Sequence, residues 1–286
     1  MATVDTADLV DGAATVTLRG KADSSSASAR SGTPLLEPRP GGMAERFSGR
    51  IGADRPVLVF LAAIVLGYTA LVGFVVALGL ILTRLLLPIG GFAAWEEGIN
   101  QWLADHRNRT LEHLSWIGST LAGGVVIPVV VAAFLVVFLA LRHWRLAAFV
   151  LFVISVESGA YRATTLLVHR ERPTVHRLES LPVDASFPSG HTAAALALFG
   201  GLLLVLMSRV RSATVTVVAM GLLVVIPLFV AWARMYRGMH HLTDSVAGLL
   251  LGIGALIVTV FAARAAGAAA DRRDGVTSTD AKGALG

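Results

Sequence analysis

Three short clusters in the second half of the chain hold residue types that can do chemistry. They are His169-Arg170-Glu171-Arg172-Pro173, then Phe187-Pro188-Ser189-Gly190-His191-Thr192, then Arg234 with His240 and Asp244. Each sits at the edge of a long apolar run. Arginine offers a planar fork of donors that stays charged and matches phosphate oxygens two at a time. Histidine trades a proton near neutral pH and can also attack as a neutral nucleophile. The inventory suits a site that holds a phosphate with arginines, attacks it with one histidine and protonates the leaving group with another.

Local sequence supports the placement. Pro173 biases Arg172 out of helical geometry and ends the preceding helix there. Pro188-Ser189-Gly190-His191 precedes an apolar run, so Ser189 is expected to cap a helix and Gly190 to let backbone approach a ligand closely. Free N–H groups and the dipole at such a terminus favour an anion. His240 and Asp244 are four residues apart, one helical turn, so the carboxylate can accept from one ring nitrogen and leave the other to attack. His241 lies three residues from Asp244, and spacing alone leaves both histidines open.

The elements that must position these clusters are membrane helices. Hydrophobic residues make up 55% of the chain and mean hydropathy is +0.71. Apolar runs long enough to cross a bilayer core recur at about 57–85, 118–141, 146–168, 191–208, 213–233 and 242–264. Open sheet edges do not survive in lipid, so the expected fold is all-α, a polytopic bundle of six transmembrane helices. Between spans one and two, Trp95, Ile99, Trp102 and His106 recur at helical spacing, which predicts an interfacial helix over about 93–116 at headgroup depth. Residues 1–50 are rich in Ser, Ala, Gly, Thr and Pro without apolar periodicity, and are expected to be a disordered tail. Residues 266–286 are read the same way, leaving 51–265 as the membrane domain. No short apolar stretch follows a basic start, so span one is expected to act as an uncleaved insertion signal.

The formal net charge is +5, but the basic residues sit in short loops rather than on one face, which argues against nucleic acid. Arg142 with Arg145, and Arg209 with Arg211, mark two loops without neighbouring acids. With six spans these loops and both termini fall on the cytoplasmic side of a cell membrane, and all three clusters fall on the opposite, extracytoplasmic side. There is no cysteine, so thiol chemistry is excluded.

In combination the clusters resemble the type 2 phosphatidic acid phosphatase (PAP2) superfamily of integral membrane enzymes. Its pattern is Lys, six residues, Arg-Pro; then Pro-Ser-Gly-His; then Ser-Arg, five residues, His, three residues, Asp. Arg172-Pro173, Pro188 to His191, and Arg234 with His240 and Asp244 match in order. The resemblance implies a phosphatase acting on a lipid phosphate or diphosphate: polyprenyl diphosphate first, with phosphatidate or phosphatidylglycerophosphate close behind. It implies that Arg172 and Arg234 bind the phosphate with Ser189 and Gly190. His240, rather than His241, is then the nucleophile, oriented by Asp244, giving a phosphohistidine. His191 protonates the leaving oxygen and later activates water. No metal or other cofactor is implied, and the membrane and the lipid phosphate are the implied partners.

Two positions depart from the pattern. The family lysine falls on Thr165, and the serine before the second arginine is Ala233. Arg162 and Arg170 are the accessory cations nearest the missing lysine. Glu157, inside span three, is expected to pair with Arg162 or to line the pocket, because a lone carboxylate there is costly. The departures leave open a second expectation, a catalytically weak or inactive lipid-binding or transport member of the same fold.

Overall fold

The computed structural model describes residues 33–180 and 185–283, and among them every regular element is helical. After a single turn at Pro34–Leu36, the helices are α1 (Met43–Ile51), α2 (Pro56–Ile81, extended by a π-helical turn to Leu86), α3 (Phe92–Asp105), α4 (Arg109–Leu121) and α5 (Val126–Ala140). They are followed by α6 (Trp144–Leu167), α7 (Gly190–Arg209, with a π-helical stretch at Leu196–Gly200), α8 (Ala213–Tyr236) and α9 (Leu242–Gly283). Five of them, α2 and α6 to α9, are long and apolar enough to cross a membrane. A sixth crossing requires α4 and α5 taken together across a bend of 45°.

That bend corrects the expectation of one straight span at 118–141. Gly123 and Gly124 sit at the break, where two adjacent glycines weaken helix propagation. The apolar part, α5, has 15 residues, roughly 22 Å of rise, short of a ~30 Å hydrocarbon core. The expected interfacial helix at 93–116 is likewise two helices. Asn108 separates them and caps α4, its side chain accepting from the Leu111 amide at 3.0 Å. Trp95 and Trp102 face outward from α3, but Glu96, Asn100 and Leu103 on its other face are buried.

Helix α9 is the axis of the bundle, packed by α2, α6, α7 and α1. Its small residues make close approach possible: a Cβ on Gly248 would lie 2.5 Å from the Ser189 carbonyl oxygen. Its later half corrects the expectation of disordered flanks. Ala44 and Ser48 of α1 are buried, Ala44 in a cluster with Ala265 and Ala269 of α9; Phe47 meets Phe261 edge-on, and Arg272 donates to the Glu45 carbonyl at 3.0 Å. Alanines at helical spacing give α9 a smooth apolar face beyond Arg264, and the short amphipathic α1 covers it. The remainder of the expected N-terminal tail, residues 1–32, lies outside the described residues.

The three clusters meet at one end of the bundle. The first follows α6, the second opens α7, and the third joins α8 to α9. Backbone ties hold them in register: Ser189 N–H donates to the Asp244 carbonyl at 2.9 Å, and Ser186 N–H to the Arg170 carbonyl at 2.9 Å.

Candidate active site

His240 is buried in the turn between α8 and α9. Its Nδ1 lies 2.7 Å from the Ser186 carbonyl oxygen. A carbonyl only accepts, so the proton sits on Nδ1 and Nε2 keeps its lone pair. Burial holds the imidazole well below its ordinary 6.5, and the charges of Arg234 and Arg172 act in the same direction against the opposing pull of Asp244.

Asp244 does not touch His240 directly, which corrects the expected pairing: its Oδ2 is 3.9 Å from Nδ1. Its partners are the Ser186 hydroxyl, the His241 amide at 2.8 Å and Arg170. Ser186 is therefore the intermediary, with its hydroxyl on Asp244 and its carbonyl on His240. The two histidines left open by spacing now separate. His240 lines a cavity shared with His191, whereas His241 faces a different one with Glu97, Arg170 and Thr174, its Nε2 3.2 Å from a Glu97 oxygen.

Arg234 is wholly buried near the end of α8. One terminal nitrogen, Nη1, donates to Ser119 and to Glu179. Its Nε and Nη2 are buried and have no hydrogen-bond partner among the described residues. Glu179 also receives Arg237 Nε. Burial works to raise the Glu179 carboxyl, but the charge of Arg234, a Ser119 hydrogen bond and Arg237 bring it below the ordinary range. Arg172 is buried beside His240 and donates to the carbonyls of Met239 and, at 3.0 Å, Ala185, so it ties the second cluster to the third.

Ser189 occupies the residue before α7, but its hydroxyl pairs with Thr192 Oγ1 at 2.9 Å and does not cap a backbone N–H, as had been expected. Gly190 is tightly placed: a Cβ there would meet the Tyr161 ring at 3.0 Å. His191, one residue on, lines a cavity of about 530 Å³ together with Arg172, Gly190 and His240. The cavity continues between α5 and α6, past Glu157, Ser158 and Tyr161 to Val131 and Leu135.

The accessory residues part company. Arg170 is buried between Glu96 and Asp244, fully neutralised. Arg162 is exposed, and Glu157 is buried with Ser158 as its hydrogen-bond partner, so the expected Glu157–Arg162 pair is absent among the described contacts. Five residues along a helix turn the second side chain ~140° from the first, which explains the separation. Thr165 is half-buried, its hydroxyl on the Arg162 carbonyl at 2.9 Å. Glu96, Asn100, Ser119, Glu179 and Ser186 were not singled out from sequence. Glu96 and Asn100, four apart on α3, were the available signal: a polar face opposite the tryptophans. Asn100 donates to the His240 carbonyl at 3.0 Å, and Glu96 accepts from the amide and hydroxyl of Thr243.

Residues 146–267 match the PAP2 superfamily. No curated protein matches the chain. Among solved structures, it is similar to the first transmembrane PAP2-type phosphatidylglycerolphosphate phosphatase from Bacillus subtilis, with 20% identity and a TM-score of 0.53 over 72% of this chain and 94% of that one. It is also similar to Aquifex aeolicus LpxE, with 20% identity and a TM-score of 0.44 over 58% of this chain and 94% of that one. The likeness to the Bacillus structure establishes a shared helical membrane fold. The three clusters lie inside the matched segment, at one end of a multi-pass bundle.

Proposed function

We propose that the chain is a metal-independent phosphatase that hydrolyses a lipid phosphate or diphosphate through a phosphohistidine at the extracytoplasmic face. One observation carries the reading: Arg234, a wholly buried arginine, keeps two nitrogens without a hydrogen-bond partner among the described residues, beside a neutral histidine. Unsatisfied buried donors are costly, and a phosphate oxygen would satisfy them. In this reading Arg234 and Arg172, with Ser189 and the backbone at Gly190, hold the non-bridging oxygens. His240 Nε2 attacks phosphorus and the bond to the leaving oxygen breaks. His191 protonates that oxygen, then takes a proton from water as the water attacks the phosphohistidine and frees inorganic phosphate. Asp244 positions His240 through Ser186 and the His241 amide. Positioning and charge stabilisation account for most of such a transfer.

Polyprenyl diphosphate, phosphatidate and phosphatidylglycerophosphate are the substrates to compare. Purified protein assayed on all three, with chelator present, is expected to release phosphate. A second reading, a lipid-binding or transport protein of the same fold, draws on Thr165, which leaves the site one cation short. Binding of these lipids with no release from any of them would favour it. Sidedness follows from the arginine pairs: in intact cells an impermeant thiol reagent should label Ser180→Cys and not Ala213→Cys. The reverse pattern would invert the topology.

A further inference from the structure

Glu157 is a buried carboxylate that the proposed mechanism does not use. It is 1% exposed, and its hydrogen bond among the described residues is the one from Ser158 Oγ to Oε2 at 2.9 Å. A carboxylate within a membrane helix and short of donors is expensive to keep. It lines the same cavity as His191 and His240.

Its depth in that cavity can be read from the helix. Ile154, Glu157, Ser158 and Tyr161 recur at three- and four-residue spacing, so one face of α6 forms the wall. Tyr161 abuts Gly190, next to His191. Glu157 lies one turn, ~6 Å, below Tyr161 along the helix. Beyond it the wall is hydrocarbon from Val131, Leu135 and Ile154. A lipid with its phosphate at the histidines and its chain along α5 would bring its first few carbons past Glu157.

We infer that Glu157 is a specificity-determining residue, which selects lipid phosphates carrying a hydrogen-bond donor, hydroxyl or ammonium, two or three carbons from the phosphoester oxygen. The inference rests on the phosphatase reading and narrows its substrate class. An all-hydrocarbon isoprenoid next to the phosphate would leave the carboxylate short of donors; a donor on the lipid backbone would satisfy it. This ranks lipid phosphates that keep a free hydroxyl or ammonium, phosphatidylglycerophosphate among them, above polyprenyl phosphates and above phosphatidate, whose glycerol hydroxyls are both esterified, and so changes the order that resemblance alone suggests.

The test uses the full chain in detergent and three substrates: lysophosphatidate (hydroxyl), a long-chain base phosphate (ammonium and hydroxyl) and farnesyl monophosphate (neither). Wild type is expected to favour the two donor-bearing lipids by ~10-fold or more in kcat/KM, chiefly through KM. Glu157→Leu should collapse that ratio toward one. Glu157→Gln keeps an acceptor oxygen but no charge; it should retain the hydroxyl preference and lose the extra preference for ammonium, and it covers the case in which the leucine variant does not fold. Comparable turnover of all three substrates by wild type would overturn the inference and leave the phosphatase reading standing. So would a donor ratio that Glu157→Leu leaves unchanged, or an ammonium preference that survives Glu157→Gln. No release from any substrate would overturn the phosphatase reading itself.

Discussion

Arg170 and Arg234 are both buried at the same end of the bundle, but they sit in different electrostatic surroundings. Arg170, which lines the cavity of His241, lies between the carboxylates of Glu96 and Asp244 and also donates to Thr243. Arg234, near the end of α8, has one shared carboxylate, Glu179, and two nitrogens without partners among the described residues. An arginine with its charge matched on the protein holds elements together; here α3, the first cluster and α9 converge on it. An arginine with donors left over is prepared for an anion that the protein does not supply. Under the proposed function, the contrast separates a structural cation from a ligand-binding one in a site where residue type is the same.

The largest expected effect is at His240. His240→Ala should reduce phosphate release by at least ~10³-fold, because it removes the nitrogen proposed to attack. Labelled phosphate trapped on wild-type protein should vanish from the variant, with both compared per folded molecule. Turnover that persists would transfer the nucleophile to His241 and undo the division of the two histidines between two cavities.

The arginines give the direct test of the comparison. Arg170→Met removes one member of a buried ion cluster and leaves Glu96 and Asp244 uncompensated, which costs about 3–5 kcal/mol of stability. Arg234→Met should cost less stability, because the side chain already has unpaired donors, but should lower kcat/KM by ~10²-fold or more. Chemical denaturation and steady-state kinetics on both variants decide the matter. Equal profiles would erase the difference between the two arginines.

Much of this was legible in sequence, and the failures have physical causes. Apolar runs longer than a bilayer core declare themselves, so the spans and their common end followed from hydropathy and order along the chain. The motifs placed Arg172, His191, Arg234 and His240 in or beside one pocket. What escaped were partners remote in sequence. Asn100 lies 140 residues from His240, and Glu179 lies 55 from Arg234; no local spacing encodes such contacts. Ser186 escaped for another reason. An Asp four residues after a His on a helix suggests a direct hydrogen bond, but the turn at Gly238 to His241 places the ring on a backbone carbonyl instead. The flanking segments were misjudged because a short amphipathic helix at Met43–Ile51 was averaged with a polar stretch before it.

pH offers a smaller effect of known sign. His240 is held neutral well below 6.5, by burial first and Arg234 second. In the unfolded chain it takes up a proton as pH falls through its ordinary value. The unfolded state then binds more protons than the folded one, so stability is lost below about pH 6.5 and rises with pH above the depressed value. The slope from one such group is at most about 1.4 kcal/mol per pH unit. Thermal unfolding from pH 7 to pH 5 should show a smaller loss in His240→Gln than in wild type. An identical loss would mean that the ring is not desolvated as its contacts require.

The smallest effect concerns the cation missing from the family pattern. Thr165 lies one turn above Tyr161 and two turns above Ser158, on the face that walls the cavity, whereas Arg162 is exposed on another side of α6. An exposed guanidinium without a fixed partner contributes little, ~0–1 kcal/mol, through solvent. Arg162→Met should therefore change kcat/KM by less than ~3–5-fold. Thr165→Lys puts an ammonium on the face from which a stem of four methylenes can extend toward Arg172. Its charge would act beside Arg172, where the proposed function holds phosphate, and not at the neutralised Arg170. A fall in KM of ~3–10-fold, with or without Arg162, is the expected outcome. If Arg162→Met instead lowers kcat/KM tenfold and Thr165→Lys repairs the loss, the exposed arginine swings into the site during turnover, and the division between a charge-matched arginine and one with donors to spare would have to include it.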